Sequence, residues 1–140
     1  MPFTYVDHTA DIGIRAWGHT VGEAFAQAAL AMFGAMVRTD RVRPTIAREV
    51  SLRAPTLRAL LVEWLAALLV PKDTEGLVFS HFDVELRTEG AGFMLHGRAQ
   101  GEPLDLDRHE PRGEVKGITY LGLDVREEGG LWYALVVVDI

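Results

Sequence analysis

Apolar and polar positions change period several times along this chain, and each change marks an element. FTYV, residues 3–6, reads as a short strand, and the polar DHTAD interrupts it. IGIRAWG then alternates, with Ile12, Ile14 and Ala16 on one face and Arg15 and Trp17 on the other. Thr20 and Glu23 form a capping box that opens a helix over residues 21–37, whose Phe25, Ala28, Ala29, Met32, Phe33 and Met36 recur at helical spacing. These Met and Phe residues read as core. After the loop RTDRVRP, residues 45–54 alternate again, placing Ile46, Val50 and Leu52 inward with a slip near Ala47. A second helix starts at Pro55–Thr56, carries the stripe Leu57, Leu60, Leu61, Trp64, Leu65 and Leu68, and is expected to close at Pro71. Residues 77–102 predict a hairpin around TEGAG. PLDLDRHEPRGE predicts a polar connection with one helical turn. Residues 115–125 and 131–140 form a second hairpin around REEGG.

This order predicts an α+β fold, a mainly antiparallel sheet with two principal helices packed on it. Strand–helix–strand followed by helix–hairpin suggests two interleaved strand–helix–strand units, although no sequence repeat accompanies them. No linker or low-complexity segment divides the chain, so one domain over residues 1–140 is expected.

Charge and composition narrow the function. A formal net charge of -6, with arginines scattered apart from Arg38, Arg41 and Arg43, argues against direct binding to a nucleic-acid backbone. An acidic surface suits a cation or a basic partner protein. With no cysteine, neither a disulfide, a thiolate zinc site nor a thiol nucleophile is available. The apolar run LRALLVEWLAALLV is interrupted by Arg58 and Glu63 and is too short to span a bilayer. With no charged-then-apolar leader, the expectation is a soluble, cytoplasmic protein with no membrane partner.

Familiar catalytic signatures, including phosphate-binding glycine loops, the nucleophile elbow and H-E-x-x-H, are absent. His81 and His96 fall on the two arms of one hairpin. They read as surface residues, with a metal pair across the hairpin as the minor alternative. DHTADIG is denser in chemistry, with Asp7, His8, Thr9 and Asp11 within five positions. It reads either as a turn that satisfies its own backbone donors or as an oxygen-rich loop for a hard cation. The chain finishes LWYALVVVDI, where Asp139 continues the face of Leu131, Tyr133, Leu135 and Val137, and so starts from an inward direction. Fraying into water is the plain outcome there. If the last strand instead lies beside the one leaving DHTAD, Asp11, Asp139 and the terminal carboxylate of Ile140 converge, and a divalent ion relieves their repulsion. Glu114 and Lys116 share a face at the start of the sixth strand, either as a solvated ion pair or as a partner-facing patch.

The residues DHTADIGIRAWG, a helix of pattern T-x-x-E-A-F-x-x-A-A-x-A-M-F, EWL in the second helix, VKGITY and a terminal W-x-x-x-V-V-x-D-I together resemble the archease family. The resemblance runs from Asp7 to the last residue. It implies a small α+β protein that binds a divalent cation, Ca²⁺ or Mg²⁺/Mn²⁺, and assists the 3′-phosphate/5′-hydroxyl RNA ligase of tRNA splicing. In that family the protein is an accessory factor that promotes guanylylation of the ligase's active-site histidine, permits multiple turnovers and broadens nucleotide cofactor use. The family's metal ligands correspond to Asp11, Asp139 and Ile140. Its functional lysine and acidic positions correspond to Lys116 and Asp124, with Asp7, His8 and Glu114 as further candidates for partner contact or activation. Gly117 stands where many relatives carry alanine.

Two rivals follow from the same residues. One is a metal-dependent phosphoester hydrolase using these carboxylates, with His8 as the nearest acid. The other is a chaperone-like binding module whose metal is structural.

Overall fold

The computed structural model describes residues 2–7 and 11–140. Seven strands form two fully antiparallel sheets. The first sheet has the order β1 (Phe3–Asp7), β2 (Asp11–Gly18), β7 (Leu131–Asp139), β6 (Gly117–Glu128). The second has the order β3 (Ile46–Ala54), β5 (Gly92–Pro103), β4 (Leu77–Glu89). The α+β class, the antiparallel pairing and the two principal helices agree with the sequence reading. In sequence the sheets are nested, the middle of the chain forming one and its two outer parts the other.

α1 (Val21–Gly34) begins where expected, with the Thr20 hydroxyl accepting the Glu23 N–H at 3.1 Å. It packs on β2 and β7 of one sheet and on β4 of the other. It ends three residues earlier than the apolar spacing suggests. Met36 and Val37 remain buried in a turn whose N–H groups reach back to the Phe33 carbonyl. α2 (Leu57–Glu75), capped by Thr56, bridges β6 and the second sheet. Pro71 does not close it. A proline's φ is already helical and its loss is one backbone bond, so the helix continues to Gly76, whose left-handed φ of 68° ends it and whose N–H reaches the Lys72 carbonyl.

The core lies between sheets and helices. Trp64 is wholly buried and donates its indole N–H to the Phe25 carbonyl at 3.1 Å, tying α2 to α1. Gly97 on β5 makes room for it, since a Cβ there would sit 2.4 Å from the Trp64 ring. Burial of a ring this size contributes roughly 3 kcal/mol. The predicted helical turn is present as α3 (Leu106–His109).

Two expectations are corrected. His81 lies opposite Gln100 and His96 opposite Glu85, so the histidines do not face each other. His96 instead meets Ser51 at 3.2 Å and Glu49 at 3.3 Å. On β7 the buried face is Ala134, Val136 and Val138, not the series ending in Asp139. Both faces of that strand are apolar, so alternation could not choose. The register with β2 chooses, because Ala134, Val136 and Val138 pair with the inward Ala16, Ile14 and Ile12. Asp139 therefore lies on the outer face.

Candidate functional site

Three strand ends meet at one tip of the four-stranded sheet. Asp11 opens β2 and lies directly opposite Asp139, which closes β7. On the other side Asp139 lies opposite Gly117, the first residue of β6. The Lys116 N–H donates to the Asp139 carbonyl at 2.7 Å, fixing β6 against the strand end. Both aspartates are half-buried, while Ile140 beyond them is exposed. Directly opposed strand residues have Cβ atoms about 5 Å apart, and like charges there repel. The sequence expectation that these carboxylates converge is met in register for Asp11 and Asp139, on the outer rather than the inner face.

The side-chain donors opposed at the tip are both carboxylates, an all-oxygen pair. That chemistry fits a hard divalent cation and not a thiolate-seeking metal. Among the described residues, no group of three or more His, Cys, Asp or Glu side chains lies close enough together to hold a metal. Asp7 is opposite Ile12 in the β1–β2 register, and His8 lies outside the described residues. No histidine of the described residues is at the tip. His19 follows the far end of β2, His81 and His96 are on the other sheet, and His109 is buried beside Glu102.

The remaining candidates sit apart from the opposed aspartates. Lys116 is exposed at the mouth of a hollow between β6 and α2, lined also by Val62, Leu69, Val70 and Tyr120. Adding a Cβ to Gly117 meets nothing within 4 Å, so an alanine fits there without strain. Glu114 makes an exposed ion pair with Lys72 at 3.4 Å. Asp124 is opposite Leu135, four residues along β7 from Asp139. Arg126 first and Arg58 second hold its carboxyl below the ordinary value, with contacts of 2.9 Å from each. The structure thus brings together Asp11 and Asp139, with the Lys116 backbone bonded to the same strand end and its side chain at the β6–α2 hollow. Asp124 belongs to a separate ion-pair network.

A second polar cluster was missed. Glu102, at the end of β5, accepts hydrogen bonds from the Arg43 N–H at 2.8 Å, Arg108 at 2.6 Å and His109 Nε2–H at 2.9 Å. His109 is fully buried, and its Nδ1 accepts the Asp105 N–H at 2.9 Å, which places the ring proton on Nε2. Burial pushes the Glu102 carboxyl up. The Arg43 N–H, Arg108 and His109 outweigh that and bring it down to about 2. This cluster ties α3 to β5 and lies inside the fold. The residues stand in a segment whose composition reads as polar connection, and no spacing rule marks His109 as interior.

Comparison with known proteins agrees with this architecture. The model of the Archease protein family matches residues 3–140. Protein archease of Pyrococcus abyssi is 42% identical over 137 residues, covering 97% of this chain and 96% of that protein. Protein archease of Methanosarcina mazei is 41% identical over 139 residues, covering 99% and 95%. Among solved structures, protein 1598 of Methanobacterium thermoautotrophicum superposes with a TM-score of 0.88 at 39% identity, covering 99% of each chain. An archease from Thermotoga maritima superposes with a TM-score of 0.59 at 17% identity over 96% of this chain and 94% of that one, a likeness of fold. Matches that run from the first strand to the carboxylate tip leave no part of the domain unaccounted for: the chain belongs to the archease family.

Proposed function

We propose that this protein is an accessory factor, not itself an enzyme, that activates the 3′-phosphate/5′-hydroxyl RNA ligase of tRNA splicing. It acts by promoting ligase guanylylation and repeated turnover. The observation that carries this reading is the opposition of Asp11 and Asp139 at the ends of β2 and β7, with the Lys116 backbone N–H bonded to the same strand end. Family membership supports it.

In this reading Asp11, Asp139 and the Ile140 carboxylate hold a hard divalent cation, Ca²⁺ or Mg²⁺/Mn²⁺. Bound there, such an ion supplies positive charge for a nucleotide phosphate or a ligase ligand. The opposed carboxylates keep the tip attractive to cations. Gly117 leaves one flank of Asp139 uncrowded, and Lys116 offers an ammonium to a phosphate or a ligase carboxylate. RNA is then met only through the ligase, in keeping with the net charge of -6.

The test is RNA ligation with limiting ligase and excess broken RNA. Product exceeding the ligase concentration only when this protein is present is expected. Asp139→Ala should return yield to one turnover or less. Equal yield with and without the protein, under conditions where the ligase binds guanosine nucleotide, would remove the ligase reading. The Thermotoga maritima archease is described as a possible chaperone. The exposed Tyr120 and Leu121 give that second reading an observation of its own here. It requires that Asp139→Ala retain full activation.

A further inference from the structure

The outer face of the four-stranded sheet is laid out in rows set by strand register. The tip row is Asp11, Asp139 and Gly117. Two residues further in, the next row is Val6, Gly13, Val137 and Thr119. Two more residues along lies Thr4, Arg15, Leu135 and Asp124. Successive rows on one face are about 7 Å apart. A largely apolar row therefore lies between a carboxylate row and one that carries Arg15 at one side and Asp124, already paired with Arg126 and Arg58, at the other.

Gly13 makes that middle row concave, because the centre of the sheet has no side chain there. The hollow above it measures about 360 Å³ and has Leu135 and Val137 in its lining. Val6 forms one wall from β1. Leu121 forms the other, and it reaches there because β6 leaves register with β7 between Thr119 and Asp124. Five residues of β6 advance (119 to 124) where β7 retreats two (137 to 135), and Gly122 takes a φ of 68° within that bulge. The result leaves Leu121 64% and Val6 52% exposed, facing a hollow that neither helix covers among the described residues. Large apolar side chains exposed around a concave floor mark a surface that receives something.

We propose that this groove receives an apolar side chain from a segment of the ligase, seated over Gly13 while the tip engages the ligase's metal-bearing site. This rests on the ligase reading above. The charges at the two ends define the segment. On the tip side it carries a cation or a metal-binding group to meet Asp11 and Asp139, and on the other side a carboxylate to meet Arg15. Arg15 is exposed and stacks over Tyr133 at 4.8 Å, and no carboxylate of the described residues pairs with it. The groove thus fixes the register in which the partner presents itself to the tip. Arg15 and Leu121 are positioning residues, and Asp11 and Asp139 hold the chemistry.

Leu121→Asp, which changes an exposed side chain, separates groove from tip, and Gly13→Leu adds a side chain at the buried floor of the hollow. Ligase affinity is read by titration calorimetry, Mn²⁺ binding by electron paramagnetic resonance, and folding by circular dichroism. Leu121→Asp should weaken ligase binding by at least about tenfold, the worth of burying one leucine, with Mn²⁺ binding unchanged. Gly13→Leu should do the same if it folds, and Arg15→Glu should weaken binding more at low salt than at high salt. Wild-type affinity in Leu121→Asp, with Asp139→Ala still inactive, would overturn the groove and leave the ligase reading standing. Failure of the unaltered protein to bind or activate the ligase would overturn both.

Discussion

Glu102 and Asp139 are both carboxylates at strand ends, and the fold treats them in opposite ways. Glu102 is buried and saturated: a backbone N–H, a guanidinium and an imidazole N–H all point at it. Asp139 is half-buried and faces another carboxylate across the β2–β7 ladder. The first arrangement lowers the cost of an internal charge by satisfying it. The second sets two like charges directly opposite each other. A carboxylate that stabilises the fold uses its hydrogen-bonding capacity internally, while one opposed to a like charge costs some stability and, on the proposed function, keeps that capacity for a ligand.

The largest test of this contrast is Glu102→Ala. It leaves His109 Nε2–H, Arg108 and the Arg43 N–H without their acceptor, and should lower unfolding free energy by about 3 kcal/mol in urea titrations at neutral pH. The effect has a pH signature. The folded carboxyl titrates at about 2 against an ordinary 4.5, so the unfolded chain takes up the proton first. The stabilisation is full above pH 4.5 and falls as pH drops toward 2, so the gap between wild type and Glu102→Gln closes over that window. A gap constant from pH 6 to 2.5 would show that Glu102 does not act through its charge.

The tip should respond with the opposite sign. In chelator at low ionic strength, Asp11→Asn removes a like-charge opposition and should raise stability by about 0.5 kcal/mol. Added Ca²⁺ or Mn²⁺ should reverse the order, stabilising the wild type more than the variant. If Asp11→Asn is destabilising in chelator as well, the aspartates are structural and the contrast with Glu102 collapses.

Much of the tip was legible in the sequence because its residues stand in two compact segments, DHTADIG and the terminal VVVDI, each beside a strand of plain alternation. What alternation could not supply was the inward face of β7. Tyr133, Leu135 and Val137 are as apolar as Ala134, Val136 and Val138, and only pairing with Ile12, Ile14 and Ala16 decides. The bulge at Tyr120–Leu123 was hidden for a related reason: TYLGLDV alternates as a continuous strand would, and the slip exists only relative to β7. The Glu102–His109 contact was the least legible. A buried histidine whose acceptor lies seven residues back across a chain reversal leaves no periodic trace.

The nested order of the sheets bears on when the site comes into being. β2 is the second of the described strands in chain order, and its inner neighbour β7 is the seventh. The aspartates that face each other are residues 11 and 139, so nearly the whole polypeptide lies in the loop that their pairing closes. The β4–β5 hairpin and α2 can assemble from contiguous chain, but Asp11 has no opposite neighbour until β7 is in place. A partly folded molecule lacking that strand therefore has no opposed pair of aspartates, and only the finished domain presents the surface on which the proposed activity rests.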